Sequence, residues 1–428
     1  MANYYVDLGG TWSASQTGLN NTGDQWQGLY GLQVALDTVT AGNTCYVKGT
    51  GLQTRYVYFT TIGDATGWEI GDAVQNDVGD GDDWTGQIVE VISTTTIIVE
   101  LDVGYARTDI NNADGIENTT KAETTTITTQ IVYYFWVDTN TGYLATGHIK
   151  FIGVNSSWVE DGTSAVLDLA NDGSYGIATN GARSYYYFKN WEIKNGSGAG
   201  IFSNDGLSLY WILVNVTSNT NSYGWQSNSQ FDTWTFVNCQ AHTNTERGFD
   251  DGDWQTIYLN SVAYNNGDAG FRSANNHGIV MYNCIAHNND VGVYMGGEDC
   301  VIANSVFDGN TAGVGIGIQV LDDWQVILNN RITNNTNGIN FGGNFTSVCG
   351  WNYLHDNTND LVGPTAWSDV GVYAAYLRDG DEVNTNIHDI DSDDGYNAQA
   401  SDDFNLKYDR KYCGDGGDGD DKLNLNTG

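Results

Sequence analysis

Seven residues at regular spacing offer this chain's plainest chemistry: Phe202, Gln226, Asp250, Arg272, Tyr294, Gln319 and Asn340. Aromatic faces, amides, a carboxylate and a guanidinium are the groups that sugar rings and their hydroxyls require. On a solvated sheet face, Asp250 and Arg272 would instead pair with each other across one rung. Around Asp250 lies an acidic stretch, ERGFDDGDW, with Glu246, Asp251 and Asp253, and Asp268 follows one repeat later. The local alternation points Asp251 inward, where an unpaired carboxylate is costly. The expectation there is a local bulge that exposes it, with a bound Ca2+ as the alternative. A second acidic stretch, DIDSDDGYN, sets Asp389, Asp391, Asp393 and Asp394 before a glycine, an arrangement of hard oxygens that suits Ca2+. It departs from the EF-hand loop, with Asp394 at the position of the sixth-place Gly and Ala400 at that of the twelfth-place Glu. DGGDGDD (Asp415, Asp418, Asp420, Asp421) and DVGDGDD (Asp77, Asp80, Asp82, Asp83) are related loops. His242 and His287 share a column with Tyr264 between them, and His277 lies nearby. Two rungs amount to about 9.6 Å, too far for one metal, so these histidines read as ladder or surface residues.

What positions these residues is a repeat. Asparagines open a unit at Asn190, Asn215, Asn238, Asn260, Asn283, Asn304, Asn330 and Asn352, at intervals of 25, 23, 22, 23, 21, 26 and 22 residues. In step runs a column of Gly plus an apolar residue, from Gly200-Ile201 through Gly224-Trp225, Gly248-Phe249, Gly270-Phe271, Gly292-Val293 and Gly317-Ile318 to Gly338-Ile339. Such a period means a solenoid or an array. Two and four residues before most of the asparagines stand apolar side chains, Leu213/Trp211, Phe236/Trp234, Met281/Ile279 and Leu328/Val326 among them, the period of two that marks a strand. Each coil then holds about three short strands joined by tight turns, a parallel β-helix. Asn tolerates the left-handed conformation of tight turns and can stack in a ladder, so the Asn column reads as scaffold. The sugar-suited residues stand two places after each Gly, on the outward side.

The net charge is −37, from 53 acidic and 16 basic residues. No basic patch exists to neutralise phosphates, so nucleic acid is not expected as a partner. The same charge disfavours an anionic membrane, and no apolar stretch is long enough for a transmembrane helix. No secretory leader is visible in MANYYVDLGGTW. The six cysteines, Cys45, Cys239, Cys284, Cys300, Cys349 and Cys413, lack metal spacing and read as buried free thiols.

The organisation follows. Residues 1–50 form an N-terminal cap and first coil, with a helix around Leu29–Val39 covering the open end of the core. Residues 51–143 break the repeat; WEIGDAVQN, TGQIVEVI and TTTIIVEL read as strands of a β-rich, barrel-like insertion. Residues 144–364 are the parallel β-helix, and 365–428 an acidic cap or tail.

The Asn and Gly columns, with the opening YYVD…ALDTVTAG…YVKG, resemble the right-handed parallel β-helix superfamily of pectate-lyase-like enzymes and phage tailspikes. The resemblance implies an all-β solenoid with a capping helix. In its lyases, a Lys or Arg base stands beside Ca2+-binding carboxylates on an outer sheet. Here NNGDAGF has Ala269 where an acid would suit Ca2+, and no Lys lies between Lys194 and Lys407. Asp250 and Asp268 are the alternative, as an inverting glycosidase pair, with Arg272 beside them. The leading expectation is a structural or receptor-type surface protein, of a virion or extracellular, that binds polysaccharide or a cell-surface glycan and assembles as a homo-oligomer, trimer or polymer. The alternatives are a polysaccharide lyase or glycosidase, and a self-assembling filament subunit or adhesin. Ca2+ is the only cofactor expected.

Overall fold

The computed structural model describes the chain apart from residues 1, 14, 77–83, 103–104, 106, 111–114, 133–134, 138–141, 143–146, 172–174, 180–182, 204–208, 228–232, 253–254, 275–277, 323, 343–346, 364–374 and 380–428. The chain divides into two compact units, Met1–Thr256 and Ile257–Gly428. Both are built of parallel β-solenoid coils. Among the described residues, no helix is long and apolar enough to cross a membrane.

In the first unit the strands Asn3–Asp7, Thr44–Lys48, Ile149–Gly153, Tyr186–Lys194 and Leu209–Asn219 pair in parallel, each with the next. A second parallel sheet runs through Phe135–Val137, Ile177–Thr179, Ala199–Ser203, Tyr223–Ser227 and Phe249–Asp251. Aligned registers stack like on like inside. Trp234 lies on Trp211 at 5.0 Å, and Phe249 on Trp225 at 4.5 Å. Such offset pairs add to the area each ring already buries. The helix Gly28–Thr38 turns Leu29, Leu32, Ala35 and Leu36 inward, one stripe at helical spacing. Thr44–Lys48 and Ile149–Gly153 are neighbours in one sheet, Thr50–Leu52 pairs in parallel with Ala165–Asp168 and Phe135–Val137 with Ile177–Thr179, so the chain between Leu52 and Phe135 is inserted within one coil. That insertion contains a closed antiparallel barrel of Tyr56–Ile62, Ala73–Asn76, Thr85–Ser93, Thr96–Leu101, Gly115–Asn118 and Glu123–Val132. Its interior is filled by Val57, Phe59, Trp84, Ile88, Ile97, Val99 and their neighbours.

In the second unit three parallel stacks recur. Ile279–Tyr282, Val301–Ala303 and Gln325–Leu328 form one, continued by Ser347–His355. Val262–Tyr264, Ile285–His287, Val306–Asp308 and Arg331–Thr333 form another. Ala269–Ser273, Val291–Met295, Ile316–Val320, Asn337–Phe341 and Asn359–Val362 form the third.

The two repeat columns now have physical causes. Asn190, Asn215, Asn238, Asn260, Asn283, Asn304 and Asn329 all have φ between 52° and 55°, the left-handed corner that Asn tolerates. Two members shift: the corner residue is Asn329 in place of Asn330, and Asn330 and Asn352 are buried, the Asn330 backbone N–H donating to Asn352 Oδ1 at 3.0 Å. The alternation before Asn330 shifts too. Ile327 and Gln325 face inward there, whereas Leu328 and Val326 are half-exposed. Adjacent asparagines concealed the slip. The corner column forms only a partial ladder, as between Asn283 Nδ2 and Asn260 Oδ1 at 2.8 Å.

A stronger, buried ladder runs through Asn266, Asn289, Asn310, Asn335 and Asn357 in the second unit. Each of the first four donates its backbone N–H to the next side-chain oxygen at 2.9–3.0 Å. The amide nitrogens reach back to carbonyls such as Ala263 O and Ala286 O. These side chains satisfy turn groups that no strand partner reaches. Asn221 and Asn244 make the same bond in the first unit. The glycine column is a close approach between coils. A Cβ on Gly224 would lie 2.4 Å from Gly248 O, and one on Gly292 would lie 2.5 Å from Gly317 O.

Candidate functional site

Strict alternation would turn the residue before each glycine inward. The structure turns it outward. A Cβ on Gly224 would point at Ala241 and Asn244 in the interior, and Trp225 is itself buried. Two consecutive inward positions put the residues at Gly−1 and Gly+2 on the same outer face. Hence Tyr223 and Arg247, at Gly−1, join the strip that sequence spacing gave only as Gly+2. The signal was present: both stand immediately before a repeat glycine.

In the first unit Phe202, Gln226 and Asp250 are register neighbours on this face. Phe202 is not an open platform. It is 6% exposed, with Tyr175 stacked on it at 4.3 Å and Tyr223 packed alongside. Arg247 organises the rest. Its guanidinium donates to Asp250 Oδ2 at 3.1 Å and lies 5.8 Å from the Tyr223 ring centre. Asp250 therefore has a guanidinium partner in its own unit, three residues away. Asp251 is buried, 6% exposed, so no bulge carries it to the surface.

In the second unit Arg272, Tyr294, Gln319 and Asn340 follow one another in register. Arg272 lies over Tyr294, 5.7 Å from the ring centre. Tyr294 packs on an outward cluster of Ala269, Val291 and Ile316. Gln319 is nearly buried, and its Nε2 donates to Asn340 O at 3.2 Å. Asn340 Nδ2 donates back to Gln319 Oε1 at 3.0 Å, which fixes the two amides against each other. Asp268 is half-exposed, its carbonyl accepting the N–H groups of Asp290 and Val291.

Elsewhere, the Tyr264 ring stacks on His287 at 5.0 Å with an interplanar angle of 1°. Burial pulls His287 below the ordinary imidazole range, opposed by the charge of Asp308. The thiols of Cys284 and Cys349 are pushed up to about 12 by burial, and all five described cysteines are buried and free. Among the described residues, no group of three or more His, Cys, Asp or Glu side chains stands close enough to hold a metal ion. Asp389, Asp391, Asp393 and Asp394, the two related acidic loops and His277 lie outside the described residues.

No protein-family model matches the chain, and no curated protein matches it. Among solved structures, the chain is similar to the pectate lyase Pel9A, at 15% identity over 88% of this chain and 78% of that one, with a TM-score of 0.47. It is similar to a rhamnogalacturonan lyase at 13% identity, over 85% of this chain and 83% of that one, with a TM-score of 0.48. The A-module of the Azotobacter vinelandii mannuronan C-5 epimerase AlgE6 matches at 15% identity over 57% of this chain and 89% of that one, with a TM-score of 0.30.

Proposed function

We propose that the chain is a glycan-binding β-solenoid of the structural, receptor type, which holds acidic polysaccharide on the Gly−1/Gly+2 face of each unit. One observation carries this reading. Each unit presents an arginine over a tyrosine ring on that face, Arg247 over Tyr223 and Arg272 over Tyr294. A ring offers an apolar face to a pyranose, and a guanidinium offers a planar fork to a carboxylate. Amides stand beside each pair, Gln226 in one unit and Gln319 with Asn340 in the other. The binding role is favoured over cleavage because Asp250 is already engaged by Arg247, and arginine is a poor proton acceptor. The finer form of the proposal is a virion-surface or extracellular protein, supported by a net charge of −37 that suits a soluble exterior surface.

The test is a panel of immobilised acidic and neutral polysaccharides. Wild type is expected to bind an acidic member, and Arg247→Ala and Arg272→Ala each to weaken that binding about tenfold. Retention by no acidic glycan would sink the proposal. Release of new reducing ends or unsaturated sugars from a bound glycan would replace binding with catalysis.

A further inference from the structure

We infer a second saccharide site in the first unit, independent of the strip: a lysine- and tryptophan-lined patch for an anionic sugar chain, formed by Lys48, Lys150, Lys189 and Trp158. Lysines are scarce in this chain, and only Lys48, Lys121, Lys150, Lys189 and Lys194 fall among the described residues. Three of these five share one outward sheet face. Tyr5, Tyr46, Ile152 and Lys189 form one register column. Thr44, Lys150 and Tyr187 form the column two residues before it, and Asp7 faces Lys48 two residues after it. Rungs about 4.8 Å apart and steps of about 6.6 Å per two residues place the three lysine stems within a patch roughly 14 Å long, with Lys48 and Lys150 at its ends.

The same face is aromatic. Tyr5 stacks on Tyr46 at 5.6 Å, and Trp158 meets Tyr5 edge-on at 5.3 Å. Lys48 Nζ lies 4.3 Å from the Trp158 ring centre. Trp158 is held there against its own backbone preference, at φ 63°, in a region bulky residues rarely adopt. Asn155 clamps it. Its side-chain oxygen accepts the N–H groups of Ser157 at 2.9 Å and Val159 at 3.0 Å, and its carbonyl accepts Trp158 N–H at 2.9 Å. Asn155 Nδ2 is in turn fixed by Asp161 at 2.7 Å. A loop that strains its backbone to set a half-exposed tryptophan beside a lysine is presenting that ring.

Charge selects the ligand. A polyanion is repelled by a surface of net charge −37 and settles only where cations cluster. Lys48 and Lys189 are paired with Asp7 and Glu160, whereas no carboxylate among the described residues pairs with Lys150. Lys150 is thus the cation poised to accept a carboxylate or sulfate, with Tyr187 and Trp158 as apolar faces for the ring. A neutral sugar would make no use of the lysines.

The full chain is titrated calorimetrically with carboxymethyl-dextran, dextran sulfate and unmodified dextran of one length, together with a single-stranded oligonucleotide. The charged dextrans are expected to bind at least tenfold more tightly than dextran, and less tightly as salt rises. Lys150→Gln, a surface change, is expected to weaken this binding several-fold. Trp158→Asn removes the ring but suits the left-handed backbone, so it should lose about tenfold in affinity while keeping the melting temperature. Lys150→Gln should weaken binding by the same factor in the Arg247→Ala background as in wild type, which separates the patch from the strip. The inference is overturned if unmodified dextran binds equally well, if both patch variants keep wild-type affinity, or if the oligonucleotide binds more tightly than either sugar polyanion.

Discussion

The carboxylate of Glu100 accepts the backbone N–H of Leu29 at 2.9 Å across 71 residues of sequence. Its second oxygen accepts Tyr30 N–H at 3.0 Å, and Arg55 approaches the first at 3.4 Å. The helix Gly28–Thr38 has no side-chain cap of its own, since Gln27 supplies none. A strand of the inserted barrel therefore caps the helix that closes the solenoid core. Helix starts leave N–H groups unsatisfied and carry positive potential, so a carboxylate is the fitting partner. This contact ties two parts of the first unit that sequence treats as separate.

Burial pushes the Glu100 carboxyl up to about 7, against the pull of Tyr30 N–H, Arg55 and Leu29 N–H. An unfolded glutamate titrates near 4.5. The folded value is the higher one, so the folded state holds the extra proton between these two. Stability from this group is complete below about 4.5 and is lost as pH rises through 7. Denaturant midpoints measured across that window are expected to fall with pH in wild type, and Glu100→Gln should flatten the slope. A slope unchanged in the variant would assign it to other groups. Glu100→Ala, which leaves Arg55 and two helix N–H groups without their acceptor, should cost about 3 kcal/mol.

Gly224→Ala probes the glycine column. The added Cβ would lie 2.4 Å from the next coil's carbonyl at Gly248, a backbone atom that cannot rotate away. Overpacking of this kind costs about 1–3 kcal/mol. Gly162→Ala is the comparison: its Cβ would meet nothing, and only its φ of 94° opposes it. Thermal melting should place Gly224→Ala well below Gly162→Ala. The reverse order would mean that turn conformation, not coil spacing, keeps the glycines.

How much of this was legible follows from which forces act locally. The corner asparagines and the glycine column are local, since a left-handed φ or a missing Cβ constrains one residue in every coil. They gave the solenoid and the outward side of Gln226, Arg272 and Tyr294. Asn330 misled because the residue beside it, Asn329, satisfies the same backbone requirement, and only the buried partner Asn352 distinguishes them. The place of Arg247 and Tyr223 on the strip went unread because the doubled inward step at each glycine breaks the period of two, a consequence of coil packing. The Tyr175 ring over Phe202 and the Glu100 cap depend on contacts remote in sequence. Trp158 sits in no repeat column, and its presentation depends on an Asn155 clamp with no distinctive spacing.

Asn289→Ala separates the two asparagine columns. Asn289 is fully buried; its side-chain oxygen accepts Asn266 N–H at 3.0 Å, and its nitrogen donates to Ala263 O at 3.1 Å. Truncation leaves two buried backbone groups unpaired, at about 1–3 kcal/mol each. Asn283→Ala removes an exposed corner side chain at φ 54° and costs about 1 kcal/mol, chiefly in backbone strain. Chemical denaturation should therefore find Asn289→Ala the more destabilised. Equal losses would show that the buried ladder adds nothing beyond the turns.

His287 reports the electrostatics of the second unit's outer face. Its imidazole is stacked on Tyr264 and held below the ordinary range by burial, while Asp308, in register on the next rung, pulls the other way. Removing that charge in Asp308→Asn should therefore lower the His287 midpoint further, as read from its ring proton shifts during an NMR pH titration. Tyr264→Ala uncovers the ring and should raise the midpoint toward the value of a free imidazole. For a folded-state value below the unfolded one, the stability present above the unfolded value is lost as pH falls through the folded one. Tyr264→Ala should accordingly lessen the acid-side loss of stability. A midpoint that rises in Asp308→Asn would show that the carboxylate does not act on the imidazole through its charge.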